Sequence, residues 1–277
     1  SHCKLLITST TDSGNTHFDD FSDQGNYWNQ TPESYYFDGT NDYITNDNVG
    51  GLPKDSNART IAFWYKTTNT DSGGDYQLAT GADSQYGGFG FFAGTNGIPR
   101  HHGYDNDFDL GIETYNATAG VWHLRVTTCN TAVSTTDQLI TCYWDGVSAN
   151  TRTNISVRSG TGAQSFRVGA RYGSASDYTN MFVAQAAGWA VELTSASVQE
   201  LWEAGPTANW ADASTITGTD YTVANADTLA IYWAMGNHNE VGGRPADTAS
   251  TVYDRSGNDE DGTTSGSMYA PHKGKLI

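Results

Sequence analysis

The sequence predicts an all-β fold, a single antiparallel β-sandwich, and three observations carry that expectation. Runs of Val, Ile, Leu, Tyr, Trp and Phe recur through residues 35–193 with Gly-, Asn- and Asp-rich turns between them, the pattern of antiparallel strands rather than of alternating strands and helices. Two of these runs, Tyr35-Tyr36-Phe37-Asp38-Gly39-Thr40-Asn41-Asp42-Tyr43-Ile44 and Cys142-Tyr143-Trp144-Asp145-Gly146, carry Asp-Gly, a strong turn signal. An apolar fraction of 37%, with 12% aromatic residues, is ample for a core between two sheets.

Taken in order, residues 1–30 give a first strand and a long polar, aromatic loop. Strands follow at Phe37-Asp38-Gly39-Thr40-Asn41-Asp42-Tyr43-Ile44, Ile61-Ala62-Phe63-Trp64-Tyr65-Lys66, Gly120-Val121-Trp122-His123-Leu124-Arg125-Val126 and Tyr143-Trp144-Asp145-Gly146. Phe166-Arg167-Val168-Gly169-Ala170-Arg171 and Gly188-Trp189-Ala190-Val191-Glu192-Leu193 continue the series. Phe63, Trp122, Leu124, Val126, Trp144 and Val168 are the residues expected between the sheets. The clearest helix is residues 197–204, where Ser197 with Glu200 forms a capping-box pattern, Thr194 is a second candidate N-cap and Gly205-Pro206 ends the run. Val198, Leu201 and Trp202 put an apolar stripe on one face, so this single short helix should pack on the sandwich edge. Residues 206–226 form a long polar connection expected to wrap the body before a closing strand, Thr228-Leu229-Ala230-Ile231-Tyr232-Trp233. The chain reads as one domain over 1–277, with a core of about 5–262 and a tail at 263–277 that carries the only basic stretch, His272, Lys273 and Lys275.

In their order these segments resemble the laminin G-like, concanavalin A-like lectin family, and Val252-Tyr253-Asp254-Arg255-Ser256-Gly257-Asn258 is similar to that family's closing turn. No single motif carries the resemblance; the succession does. It implies a jelly-roll β-sandwich that binds something, commonly a carbohydrate and often with calcium, without naming the ligand.

The charge balance excludes some partners. With 14 Lys and Arg against 31 Asp and Glu, a net charge of −17, the chain lacks the basic clusters on which affinity for nucleic acid or an anionic membrane is built. No stretch approaches the roughly 18 consecutive apolar residues that span a bilayer, so no membrane insertion is expected. The opening Ser1-His2-Cys3-Lys4-Leu5-Leu6-Ile7 is too short for a signal core of about 7–15 apolar residues and reads as a chain made in the cytosol; a signal removed before residue 1 is the alternative. Three cysteines, Cys3, Cys129 and Cys142, are too few for a disulfide framework. Cys129 and Cys142 fall on consecutive strands, where a bond requires a shared face, and free thiols are expected.

Catalysis on such a sandwich would need two acidic residues facing one groove. The glutamates are few and scattered, and Arg100-His101-His102-Gly103-Tyr104 is only a loose echo of a lyase motif in an apparent loop, so the chain is expected not to be an enzyme. Asp38 and Asp42 in the first Asp-Gly turn, with Asp254 in the closing turn, are the expected ligands for calcium, which takes six to eight oxygens; alternatively these side chains only hydrogen-bond their own turns. Sugar binding calls for exposed aromatic rings beside polar groups. Tyr86, Phe89, Tyr104, Asp105 and Asp107 lie in the segment richest in that mixture and are the expected ligand face, with Tyr172 and Tyr178 as further loop aromatics.

The function expected is a non-catalytic recognition or structural module on a virion surface, as a decoration, fibre or receptor-binding protein with a glycan or host-surface ligand. The alternative is a carbohydrate-binding domain of a secreted bacterial adhesin or glycoside-degrading protein, extracellular in location, and the third is a polysaccharide hydrolase or lyase. Because weak single sites gain from repetition, a homo-oligomer or contacts with other virion subunits are expected, with the tail's Lys273 and Lys275 docked on a neighbour.

Overall fold

A computed structural model describes residues 7–9, 18–20, 32–54, 57–67, 76–81, 89–93, 99–103, 108–111, 117–130, 138–155, 164–171, 176–238, 243–268 and 272–273. The strands in chain order are β1 (Ile7–Ser9), β2 (Phe18–Asp20), β3 (Glu33–Asp38), β4 (Tyr43–Val49), β5 (Arg59–Thr67), β6 (Tyr76–Gly81), β7 (Phe89–Ala93), β8 (Pro99–Gly103) and β9 (Phe108–Gly111). They continue as β10 (Trp122–Cys129), β11 (Gln138–Trp144), β12 (Val147–Ile155), β13 (Gln164–Val168), β14 (Asn180–Trp189), β15 (Leu229–Trp233), β16 (Thr251–Val252), β17 (Gly262–Ser265) and β18 (His272–Lys273). Helix α1 is Ser195–Ala204 and a one-turn helix α2 is Val223–Ala226.

Two eight-stranded sheets face each other, and β1 and β2 make a separate ribbon. The first sheet runs β12-β11-β10-β5-β14-β3-β18, with β15 also on β14; the second runs β16-β17-β4-β13-β6-β7-β8-β9. Pairings among the described residues are antiparallel throughout, as the turn-separated runs predict. The Asp-Gly signal at β11–β12 becomes a two-residue hairpin turn, with Asp145 at φ 49° and Gly146 at φ 81° between the paired Trp144 and Val147. Both central residues of such a turn sit in the left-handed region, which Asp tolerates and Gly favours.

The core is two-layered. Phe37, Ile44, Ile61, Phe63, Tyr65, Phe91, Trp144, Phe166, Val168 and Trp233 pack between the sheets. On the far face of the first sheet, Trp64, Leu124, Val126 and Trp189 pack under Val198 and Leu201 of α1 and under Trp210, Ile216 and Tyr221 of the connection. This corrects the expected inter-sheet set: Phe63, Trp144 and Val168 lie between the sheets, whereas Trp122, Leu124 and Val126 lie on the opposite face. The reason is period-two alternation on a strand buried on both sides. His123, Arg125, Thr127 and Cys129, not their apolar neighbours, point inward from β10. Arg125 stacks its guanidinium 4.6 Å from the Phe91 ring centroid and donates to Gln77 Oε1 and to the Arg100 carbonyl.

Helix α1 starts one turn earlier than the capping-box pattern implied. Thr194 is the N-cap, accepting from Ser197 N at 3.1 Å, while Ser197 donates its hydroxyl to the Asp220 carbonyl. Glu200 does not close a capping box. Its carboxylate reaches sideways to Thr219, Asp220 and Tyr221 N–H groups at 2.6–3.0 Å, holding the connection over the sheet. The helix lies on the sheet's outer face toward its β12 edge, where Gly146 of the β11–β12 turn meets Trp202. In the tail, Lys273 pairs with Glu33 and His272 with Ser34 of the same chain's β3.

Candidate functional site

Register places one row of side chains across four adjacent strands of the first sheet. Tyr36 of β3 lies opposite Phe182 of β14, Phe182 opposite Lys66 of β5, and Lys66 opposite Trp122 of β10. Their sequence neighbours Tyr35, Phe37, Tyr65, Met181 and Val183 belong to the inter-sheet core, so alternation turns the row to the outer face. All four residues are partly exposed. The Tyr36 and Phe182 rings have centroids 4.8 Å apart, and Lys66 Nζ sits 4.8 Å from the Phe182 ring and 5.1 Å from the Trp122 ring. Burial among these rings lowers the Lys66 pKa from its ordinary value. No carboxylate among the described residues is placed against its ammonium. Cross-strand neighbours on one pleat stand close enough to form a continuous surface, so the row is an aromatic platform with one cation set into it.

A second aromatic group lies on the second sheet. Tyr43 of β4 stacks on Tyr178 with centroids 6.4 Å apart, and the Arg167 guanidinium sits 5.2 Å from the Tyr43 ring. Arg167 is committed internally, donating to Thr45 Oγ1, to the Arg171 carbonyl at 2.8 Å and to Asp47 Oδ1 at 3.1 Å. Its charge is thus already answered, which separates this group from the Lys66 row.

The β3–β4 turn connects the strands that carry the two groups. Thr40 N–H donates to Asp38 Oδ1 at 2.7 Å, and Asp42 accepts from Asp38 N at 3.1 Å and Ser267 N at 3.0 Å. Burial, ahead of the neighbouring Asp38 charge, pushes the Asp42 carboxyl above the usual carboxylate range, against the pull of those two N–H groups. Gly39, at φ 78°, brings the turn against Asn180, leaving a Cβ there only 3.3 Å from the Asn180 Cβ.

The expected calcium ligands divide. Asp38 and Asp42 come together, but Asp254 does not join them. Asp42 binds beyond the Ser265 end of β17, whereas Asp254 lies at its Gly262 end, where Asp254 N–H donates to Asp261. Four residues of strand, roughly 13 Å, separate those ends. Asp254 instead organises the closing turn, accepting from Tyr232 N, Ser256 N, Ser256 Oγ, Asn258 N and Glu260 N. No group of three His, Cys, Asp or Glu side chains converges among the described residues. Two carboxylates, one with both oxygens already accepting N–H bonds, do not fit the six-to-eight-oxygen cage calcium takes.

Of the expected ligand face, Tyr86, Tyr104, Asp105 and Asp107 lie outside the described residues, as does Tyr172. Phe89 does not stand at the surface: it is 2% exposed, under the Arg59 guanidinium and edge-on to His101. The segment expected as a loop around His101 is strand β8, and His101 is fully buried against Phe89 and Phe91. His123 Nε2 accepts from Thr118 N–H, which sets the Nδ1–H tautomer, and Nδ1–H donates to Asp145 Oδ2 across 2.8 Å. That His–Asp pair has no ring nitrogen left to take a substrate's proton and pins the β11–β12 turn instead. Glu260 is likewise spent on structure, accepting from Gly50 N and Asn46 Nδ2.

Residues 38–199, more than half of the chain, match the family model of the concanavalin A-like lectin/glucanases superfamily. The chain belongs to that superfamily. A candidate carbohydrate binding protein from Bacteroides ovatus superposes with a TM-score of 0.57 at 15% identity, over 87% of this chain and 61% of its own. A heptameric SAP-like pentraxin from Limulus polyphemus gives 0.49 at 12% identity, over 63% of this chain and 83% of its own. A sialidase from Streptococcus pneumoniae gives 0.48 at 13%, over 61% of this chain and 28% of its own. This superfamily member thus spans about three-fifths of the Bacteroides protein and about a quarter of the sialidase. At these identities the likeness is one of fold. No curated protein matches the chain. None of the described helices is long and apolar enough to cross a membrane.

Proposed function

We propose that this superfamily member is a non-catalytic carbohydrate-recognition module whose binding surface is the row Tyr36, Phe182, Lys66 and Trp122. The observation that carries the reading is the alignment of three partly exposed rings by strand register on one face, which matches the apolar face of a pyranose stacked on aromatic side chains. The superfamily's lectin members and the description of the Bacteroides ovatus neighbour support the same ligand class. The virion-surface setting expected from the family resemblance and the short apolar opening of the chain adds nothing to the site and is not needed by this reading.

A glycan array followed by calorimetry on the hits tests it. Trp122→Ala and Phe182→Ala should each weaken binding about fivefold or more, since a ring contact of this kind is worth on the order of 1 kcal/mol. Tyr43→Ala at the second patch should leave affinity unchanged. Loss that follows Tyr43 instead would move the site to the other sheet, and hits unaffected by all three substitutions would overturn the row as the binding surface.

A further inference from the structure

Lys66 is the one charged member of the row. Its ammonium sits between the Phe182 and Trp122 rings at 4.8 and 5.1 Å. Arg167, Arg171, Arg244 and Arg255, by contrast, each meet an aspartate: Asp47, Asp177, Asp259 with Asp261, and Asp247 respectively. The chain has 31 acidic side chains against 14 basic ones, yet no carboxylate among the described residues lies against Lys66. Two rings hold the head group by cation–π attraction, which fixes its position without consuming its three N–H donors. A half-buried ammonium fixed in that way keeps a strong preference for an anion, because an ion pair there is screened less than at an open surface.

Resting on the proposed glycan-binding row, we infer that its ligand is an acidic glycan, with an anionic group carried on a pyranose received by Lys66 while the sugar ring stacks on Trp122 or Phe182. The spacing suits this. Adjacent strands are about 4.8 Å apart, so a ring stacked over one aromatic residue places a substituent of the sugar within reach of the lysine on the next strand. The net charge of −17 opposes an anion at long range, but that repulsion decays over about 8 Å at physiological ionic strength while the Lys66 contact acts at hydrogen-bond distance. Carboxylate and sulfate share this chemistry, and the test separates them.

Binding of the full chain is measured in buffer of physiological ionic strength against polygalacturonate and its fully methyl-esterified, uncharged form, and against κ-carrageenan and its desulfated form. The expected result is a preference of about tenfold or more for at least one acidic polymer over its own neutral partner, the scale of one charge-assisted hydrogen bond. Preference within the first pair assigns a carboxylate; within the second, a sulfate. Lys66→Gln should abolish the preference, and Lys66→Arg should keep it. Equal binding of charged and neutral partners by the native protein, or a preference that survives Lys66→Gln, overturns the inference. In either case neutral binding that still falls in Trp122→Ala leaves the glycan-recognition reading standing. Binding of no acidic polymer at all also overturns the inference, and the array hits then decide the broader reading separately.

Discussion

At the scale of single residues, the two faces of β5 and β10 give opposite forecasts for side chains of similar chemistry. Phe63 has no exposed surface and stacks on Tyr65 at 4.8 Å and on Phe91 at 5.2 Å across the sheets. Phe63→Ala should therefore destabilise the fold by about 3–5 kcal/mol, as large-to-small core changes do, and chemical denaturation would show it. Trp122 lies at the rim of the other layer and is partly exposed. Its replacement by Ala should cost clearly less stability while costing binding, and an equal loss of stability from both substitutions would contradict the layering. The cysteines give a second forecast. Cys142 lies opposite Thr127 and Cys129 opposite Ile140, so the two thiols share the inner face but sit diagonally, two residues out of register, and are free. Burial pushes the Cys142 thiol up to about 11 and raises Cys129 as well. Both should react with a thiol reagent orders of magnitude more slowly in the native protein than in denaturant, because the thiolate is the reactive form. Rapid native labelling of either would show an opening that the packing does not allow. Phe63 in the core and the free thiols were legible in the sequence; the layering was not, since Trp122, Leu124 and Val126 look like core in sequence and a strand buried on both faces gives no sign of which side meets the second sheet.

At the scale of elements, α1 and the connection after it act as one lid over the first sheet, and Glu200 is the tie between them. Burial raises its pKa, but N–H donors from Tyr221, Asp220 and Thr219 outweigh that, and the carboxyl ends below its free value of 4.5. A depressed carboxylate contributes stability that is present above the unfolded value and is lost as pH falls through the folded one. Acid should therefore loosen this lid below about pH 4.5, and Glu200→Gln should lower stability at neutral pH by about 1–3 kcal/mol, the cost of a buried hydrogen-bonded charge left unmade. Melting curves across pH 3–7 check both points. The variant must lie closer to the wild type at the acid end than at neutrality, and a constant gap would remove Glu200 from the acid response. Sequence showed the helix, its terminal Gly205 and its apolar stripe, because those are local signals. It assigned Glu200 to the wrong partner, because a carboxylate three residues from Ser197 fits a capping box as well as it fits a loop some 20 residues downstream.

At the scale of the molecule, the order of strands and turns was enough to read an antiparallel sandwich, while the site was not legible, and the difference is one of register. Turn chemistry and apolar runs are properties of neighbouring residues; the row Tyr36, Phe182, Lys66 and Trp122 joins positions up to about 146 residues apart, aligned only once four strands pair. The same long-range logic governs stability. The excess of 31 acidic over 14 basic side chains gives a self-repulsion that the few internal pairs, such as Arg167 with Asp47 and Arg255 with Asp247, offset only locally. Salt shortens the reach of that repulsion from about 30 Å at 0.01 M to about 8 Å at 0.15 M, while buried pairs are screened much less. The melting temperature should accordingly rise when sodium chloride is raised through that range, with most of the gain complete once the screening length falls below the spacing of surface carboxylates. Potassium chloride should act equally, since the effect is one of ionic strength rather than of a bound ion. A melting temperature that stayed flat, or fell, would mean that the arginine–aspartate pairs carry more of the stability than the surplus negative charge removes.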